Sequence, residues 1–232
     1  LLNQFFTPMT RIIFEQRGTI DKYVGDMIMA FWGAPVQDPG HRQHAVEAAL
    51  AMLEQVVAMR PEISERNWPE VNIGIGINTG VMNVGDMGSE YRRAYTVIGD
   101  AVNLGSRLEG LTKYYGVRLI VSETTAEGLE GMVLRCLDRV KVKGKNEPVT
   151  IYEPVGLSAS VSGELVKEVE ASNAALDFYF AGDLEQAYSA FNILQDGMPE
   201  RRLFGLYLER IGALQSQGIG PDWDGVFEHT SK

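Results

Sequence analysis

The chain has 232 residues, a formal net charge of −10 and one cysteine. An acidic balance of this size argues against a nucleic-acid partner, which would require a basic surface. One cysteine and three histidines give neither a disulfide nor a zinc constellation. No apolar run approaches the roughly 18 residues of a membrane span, so we expect no membrane contact by these residues. The single cysteine fits a reducing cytoplasm, and the start at Leu1 suggests a fragment of a longer protein that could carry a membrane anchor upstream.

The first part of the chain alternates between helical and strand-like apolar patterns. Helical spacing predicts helices over residues 1–16 and 41–59, with a kink or a break of the first helix at Pro8. Strand-like runs at 19–23 and 27–32 flank a Gly-Asp pair, which is a hairpin signal.

A further strand is expected at 71–78, where apolar residues alternate. Gly74 and Gly76 share the other face of this strand, which predicts the close approach of another element. The chain is then expected to reverse direction at a turn and to run back over 81–84. We expect residues 85–92 to form a polar loop.

The stretch from Tyr95 to Glu109 combines a strand, a Gly-Asp break and a helix. Asp100 is expected to be the N-cap of that helix. Asn103 and Arg107 lie four residues apart, so they occupy one side of it. A carboxamide beside a guanidinium at the rim of a sheet suits a phosphate ester, because arginine presents a planar fork of donors. The alternative is an ordinary solvated helix edge.

Strands are also expected at 118–121, 133–142 and 148–155, with a short helix at 122–129. Strands and helices that alternate, with antiparallel hairpins among them, predict an α+β sandwich. Cys136 lies within a strand-like run, and we expect it to be a buried core thiol.

The character of the sequence changes after residue 156. Residues 157–163 are rich in serine and predict a linker. Three helical segments over 164–216 resemble part of a tetratricopeptide repeat. Because about three repeats are needed for independent stability, we expect this helical tail to pack on the preceding domain or to cap missing repeats. Residues 217–232 are expected to be extended, with Trp223 as an anchor against the body.

Three motifs together resemble those of the class III nucleotidyl cyclases: Asp21-Lys-Tyr-Val-Gly-Asp26, the stretch Tyr95–Glu109, and Val142-Lys-Gly-Lys145. The resemblance runs from Leu1 to about Val155 and keeps the motifs in order. It implies an α+β, ferredoxin-like sandwich that works as a homodimer, with helices on one face of the sheet. The implied reaction converts ATP to 3′,5′-cyclic AMP and pyrophosphate, with two Mg²⁺ or Mn²⁺ ions at each site.

The resemblance also implies roles for single residues. Asp26 would be a metal ligand, since carboxylate oxygen suits these hard cations. Asn103 would orient the ribose, and Arg107 would stabilise the charge that builds on the α-phosphate. Lys143 would bind the polyphosphate, with Lys145 as a weaker candidate. For a basic pair between two strands, the alternative is an ordinary hairpin tip.

Lys22 and Thr96 are implied to read the base. A lysine ammonium donates hydrogen bonds but does not accept them, so it matches N1 of adenine and mismatches N1–H of guanine. Guanylyl cyclases of this family carry an acidic residue at this position, so Lys22 favours ATP as the substrate. In the family, this lysine and the metal-binding aspartate, here Asp26, serve different sites, and one chain with both residues therefore implies a homodimer with two equivalent sites.

One departure from the family pattern concerns its first strand. That strand carries Asp-Ile-x-Gly-Phe-Thr or a similar motif, whose aspartate is the second metal ligand, and no such motif occurs in this chain. We therefore expect residues 1–232 alone to be inactive or feeble. Three alternatives stay open: a regulatory nucleotide-binding domain with a degraded site, a guanylate cyclase, or a module that binds a protein partner through the helical tail.

Overall fold

The computed structural model describes residues 1–142 and 147–229, which form an α+β fold. Its helices are α1 (Leu2–Glu15), α2 (His41–Glu65), α3 (Asp100–Tyr115), α4 (Glu123–Ala126), α5 (Gly163–Phe180), α6 (Leu184–Gly197) and α7 (Arg202–Gln217). Its strands are β1 (Thr19–Val24), β2 (Met27–Phe31), β3 (Ile75–Ile77), β4 (Asn83–Gly88), β5 (Arg93–Ile98), β6 (Leu119–Ser122), β7 (Met132–Val142), β8 (Val149–Leu157) and β9 (Val226–His229).

The largest sheet has the strand order β3-β6-β8-β7-β9. Strands β3 and β9 at its edges pair in parallel with their neighbours, whereas β8 pairs antiparallel with both β6 and β7. The hairpins β1–β2 and β4–β5 form two separate two-stranded sheets. In the described part of the chain, β3 therefore has a strand along one side only.

Two helices continue through a proline. Helix α1 contains Pro8 without a break, and α2 contains Pro61, so our expectation that α2 ends at residue 59 was wrong. Met9 and Ile63 are buried in the hydrophobic cluster that joins these two helices. Burial of each such side chain contributes about 1.5–3 kcal/mol, which offsets the roughly 3 kcal/mol that an interior proline costs.

The observed strand boundaries differ from the predicted ones where pairing with a neighbouring strand determines how far a strand extends. Strand β3 is confined to 75–77, because residues 71–74 have no ladder partner among the described residues. Residues 83–88, most of which were expected to be a loop, form β4 because they pair along the whole length of β5. Gly99 is the N-cap of α3, and Asp100 is its first helical residue.

The C-terminal helices share one hydrophobic core with the sheet. Buried side chains of α5, α6 and α7 pack together with those of α3 and β7. Trp223 donates from Nε1 to the carbonyl oxygen of Tyr179 at 3.1 Å, and the four residues that follow Gly225 form β9 beside β7. Cys136 is partly buried against this core, and burial raises the pKa of its thiol to about 12.

The carboxylate of Asp138 on β7 joins this strand to α7 and α3 directly, and to β9 through Tyr115. Its side chain is fully buried and accepts hydrogen bonds from Arg210 on α7 and from Tyr115 on α3, the latter at 2.7 Å. His229 on β9 lies with Nε2 3.0 Å from the Tyr115 hydroxyl. Burial raises the pKa of the Asp138 carboxyl, and the Arg210 guanidinium opposes part of that shift.

Arg135, also on β7, forms a second buried ionic cluster. Its guanidinium is fully buried and contacts Glu153 on β8 at 2.7 Å and Glu168 on α5 at 2.8 Å. The helical tail is thus joined to the sheet by two buried charge networks as well as by apolar packing. Among the described helices, none is both long and apolar enough for a membrane crossing.

We predict that Arg210→Met lowers the free energy of unfolding by about 3–5 kcal/mol, because it leaves the buried Asp138 carboxylate without its counter-ion. Urea unfolding would measure the loss. Arg66→Met is the matched control, since the Arg66–Glu62 ion pair is about half exposed and is expected to contribute less than about 1 kcal/mol. Equal losses in the two variants would contradict the importance of the buried pair.

Candidate functional site

Helix α3 lies against β3 at a contact that only glycine permits. A Cβ atom at Gly76 would collide with backbone atoms of Gly105 and Glu109 in α3. On its other side, α3 buries Leu104 and Leu108 in the main core. The glycine contact and this apolar stripe together fix both the position and the rotation of the helix, as the two glycines in the strand pattern predicted.

This rotation determines where Asn103 and Arg107 lie. Asn103 is exposed, and no described residue hydrogen-bonds its side chain. Arg107 is half-buried, and its Nη1 atom is buried without a hydrogen-bond partner in the described structure. Because an unpaired buried donor costs about 1–3 kcal/mol or more when it is charged, the geometry favours an anionic ligand at Arg107.

Lys22 on β1 and Thr96 on β5 meet although 74 residues separate them in the chain. The Lys22 ammonium donates to the Thr96 hydroxyl oxygen at 3.3 Å, and that hydroxyl donates to Asp21 Oδ2 at 3.0 Å. Lys22 remains 48% exposed, whereas the Asp21 side chain is fully buried. Sequence reasoning missed Asp21, because an aspartate next to a turn-forming hairpin gives no local signal of burial.

A cavity of about 1110 Å³ lies between β2 and β3 and is bounded by α2 and α3. Asp26 and Asn103 are among its lining residues, whereas Lys22, Thr96 and Arg107 are not. The structure therefore divides the predicted site residues of one chain. Lys22 and Thr96 form one group outside this cavity, and Asp26 and Asn103 line it.

Asp26 is the second of the two turn residues of the β1–β2 hairpin, and Gly25 before it adopts φ of 62°. Its carboxylate is exposed and is not hydrogen-bonded by any described residue. Within the described ranges, no three histidine, cysteine, aspartate or glutamate side chains cluster as a ready metal site. Asp26 therefore fits as one hard oxygen ligand of Mg²⁺ or Mn²⁺, and any other ligands would have to come from elsewhere.

The remaining predicted contacts, Lys143 and Lys145, lie outside the described residues. The assignment of Lys143 to a polyphosphate therefore stays a prediction.

Residues 1–153 match the family described as the adenylate and guanylate cyclase catalytic domain. Among curated proteins, the chain is 36% identical over 163 residues to adenylate cyclase 1 of Rhizobium meliloti, covering 70% of this chain and 24% of that protein. It is 41% identical over 160 residues to an adenylate cyclase of Anabaena cylindrica, covering 66% of this chain and 31% of the relative.

A third relative extends beyond the matched domain. The terminal-differentiation-specific adenylate cyclase of Dictyostelium discoideum is 34% identical over 215 residues, covering 90% of this chain and 10% of that protein. The chain thus spans a third or less of the length of these curated relatives.

Solved structures of both cyclase types resemble this fold. The adenylyl cyclase CyaB from P. aeruginosa superposes with a TM-score of 0.62 at 31% identity, covering 69% of this chain and 83% of that one. The guanylyl cyclase Cya2 superposes with a TM-score of 0.61, also at 31% identity, covering 69% of this chain and 81% of that one. The expected α+β fold is confirmed, and overall shape does not distinguish the two activities.

The contact between α3 and β3 gives a direct test. We predict that Gly76→Ala lowers the free energy of unfolding by about 1–3 kcal/mol, because the methyl group forces the α3 backbone away from the strand. Gly110→Ala on the same helix meets no atom within 4 Å and is expected to stabilise the chain by about 0.5–1 kcal/mol. Urea unfolding of both variants is the measurement, and an unchanged Gly76→Ala protein would contradict the close approach.

Proposed function

Because the chain belongs to the adenylate and guanylate cyclase catalytic-domain family, we propose that it converts ATP to 3′,5′-cyclic AMP and pyrophosphate. The observation that carries the choice of ATP is the contact between the Lys22 ammonium and the Thr96 hydroxyl. An ammonium donates to N1 of adenine, and a hydroxyl oxygen accepts from the adenine amino group. Guanine reverses both polarities, so it would leave polar groups unpaired, which discriminates strongly between substrates.

The proposed reaction is an in-line attack of the ribose 3′-oxygen on the α-phosphorus, with pyrophosphate as the leaving group. Arg107 stabilises the negative charge that develops on the α-phosphate, which gives its buried and unpaired Nη1 atom a partner. Asn103, exposed one turn earlier on α3, orients the ribose through its carboxamide. Lys143 holds the departing polyphosphate by charge.

Asp26 is the proposed protein ligand for a divalent cation. Such a cation would neutralise phosphate charge and increase the nucleophilicity of the 3′-oxygen. The second carboxylate ligand of the family lies on its first strand, and a strand of that kind would fit in the cavity between β2 and β3. This placement is supported by the two facing strands, each of which pairs on one side only in the described residues, because unpaired strand edges favour the addition of a strand.

We propose that two copies of the chain complete each site. In the family, the lysine at the position of Lys22 and the metal-binding aspartate at the position of Asp26 serve different sites, which a two-fold axis would bring together from two chains. The hairpins also expose apolar side chains that a dimer interface would cover. These are Tyr23, Val24, Met27, Val81, Tyr91, Tyr95 and Ile98.

The activity is testable in the natural full-length protein that contains these residues. We predict that Arg107→Ala lowers kcat for cyclic AMP formation by about 100-fold or more, because it removes charge stabilisation at the α-phosphate. Arg118→Ala, at an exposed position before β6, is the matched control and should leave kcat unchanged. Equal activity of the two variants would exclude the proposed role of Arg107.

Failure of the wild-type protein to form any cyclic nucleotide, with ATP or GTP and with Mg²⁺ or Mn²⁺, would contradict cyclase activity. Retained binding of an ATP analogue in that case would favour the regulatory-domain alternative.

The proposal that two chains contribute residues to each site leads to a second prediction. Asp26→Ala and Arg107→Ala chains should each be nearly inactive alone, whereas co-expression should restore about a quarter of wild-type activity. Half of the randomly assorted dimers are mixed, and each mixed dimer contains one site with neither substitution. If both residues belonged to the same site within one chain, no mixture would recover activity, and the proposed arrangement would be wrong.

A further inference from the structure

Asp21 occupies a β-bulge in the β1–β2 hairpin. Ile20 pairs with Ala30 and Lys22 pairs with Met29, so Asp21 is the extra residue on β1. In a regular strand, consecutive side chains point to opposite faces, but a bulge changes the direction of one of them. Here Asp21 and Lys22 reach the same hydroxyl group, that of Thr96, and lie 3.5 Å from each other.

The hydrogen bonds of Thr96 determine what its hydroxyl can offer a ligand. A hydroxyl has one hydrogen and two acceptor sites, and a carboxylate only accepts. The Thr96 hydrogen is therefore committed to Asp21, while Lys22 donates to the Thr96 oxygen. Only one acceptor site on Thr96 remains for a ligand, beside the unused N–H groups of the Lys22 ammonium.

Burying the Asp21 carboxylate costs folding free energy. A contribution to stability therefore does not explain why an aspartate occupies this position. Its side chain is fully buried, and its Oδ1 atom has no hydrogen-bond partner in the described structure. An unpaired buried carboxylate oxygen destabilises the fold, and an apolar residue of similar size would avoid that penalty. The hydroxyl of Thr96 and the ammonium of Lys22 are the groups that its other oxygen contacts.

We propose that Asp21 is a positioning residue that sets purine specificity by fixing the direction of the Thr96 hydroxyl. With its hydrogen held by Asp21, Thr96 accepts from a 6-amino purine and cannot donate to a 6-oxo purine. Without that carboxylate, the hydroxyl rotates freely and donates to either a ligand or water. This inference deepens the proposed adenylate cyclase function and depends on it.

The test compares three nucleotides that differ at position 6 of the purine: ATP, inosine triphosphate with a 6-oxo group, and purine riboside triphosphate with hydrogen. In the natural full-length protein, Asp21→Leu should lower kcat/KM for ATP about 10-fold, because leucine cannot accept the Thr96 hydrogen and one well-directed hydrogen bond to the ligand is lost. Purine riboside triphosphate should be used equally well by both proteins, because it lacks the amino group. The ratio of kcat/KM for inosine triphosphate to kcat/KM for ATP should rise.

Two controls separate this role from a structural one. Asp222→Leu changes an exposed aspartate in the segment before β9 and should leave kcat/KM for all three nucleotides unchanged. In a Thr96→Val background, Asp21→Leu should have no further effect on the preference for ATP over inosine triphosphate, because Asp21 acts through Thr96. A further change in that background would overturn the proposal, and so would an equal loss of activity on all three nucleotides.

Equilibrium binding of the same three nucleotides tests the role of Asp21 in base preference without requiring catalytic turnover. If the wild-type protein makes no cyclic product, the proposed function fails, while a binding preference for ATP that Asp21→Leu removes would still support the role of Asp21. Equal binding of the three nucleotides by wild-type protein, or no binding of any, would overturn it.

Discussion

The buried ion pair between Asp138 and Arg210 is the interaction on which the arrangement of this chain most depends. Through Asp138, strand β7 is joined to α7, to the end of α3 and, by way of Tyr115 and His229, to β9. Helix α3 is therefore held at its C-terminal end by the helical tail and along its length by the glycine contact with β3. The same helix presents Asn103 and Arg107, so the tail contributes to the position of the site.

The site combines groups whose hydrogen-bonding capacity the fold leaves unused. Arg107 has a buried donor without a partner, and the carboxylate of Asp26 and the carboxamide of Asn103 are not bonded by any described residue. Keeping such groups unpaired costs stability, and a bound nucleotide with its cation would satisfy them. The proposed division of each site between two copies also explains why Lys22 and Thr96 of one chain lie outside the cavity that Asp26 lines.

Local patterns in the sequence were sufficient for the elements whose apolar periodicity is strong. The β1–β2 hairpin, α3, β7 and the C-terminal helices were predicted in this way, and Gly76 correctly indicated close packing. The end of α2 and the existence of β4 were not, because they depend on burial against α1 and on pairing with β5. The site residues came from motifs, whereas the bulge that turns Asp21 towards Thr96 depends on contacts between distant parts of the chain.

The most direct test of the central claim is an internal competition for the base. The natural full-length protein would be incubated with equal concentrations of ATP and GTP in one reaction, and both cyclic products would be quantified by mass spectrometry. A site in which Lys22 donates and Thr96 accepts predicts cyclic AMP in excess by about 100-fold or more, because guanine presents N1–H to the Lys22 donor and a 6-oxo acceptor to the Thr96 acceptor. Comparable amounts of the two products, or an excess of cyclic GMP, would contradict the proposed recognition of adenine by Lys22 and Thr96.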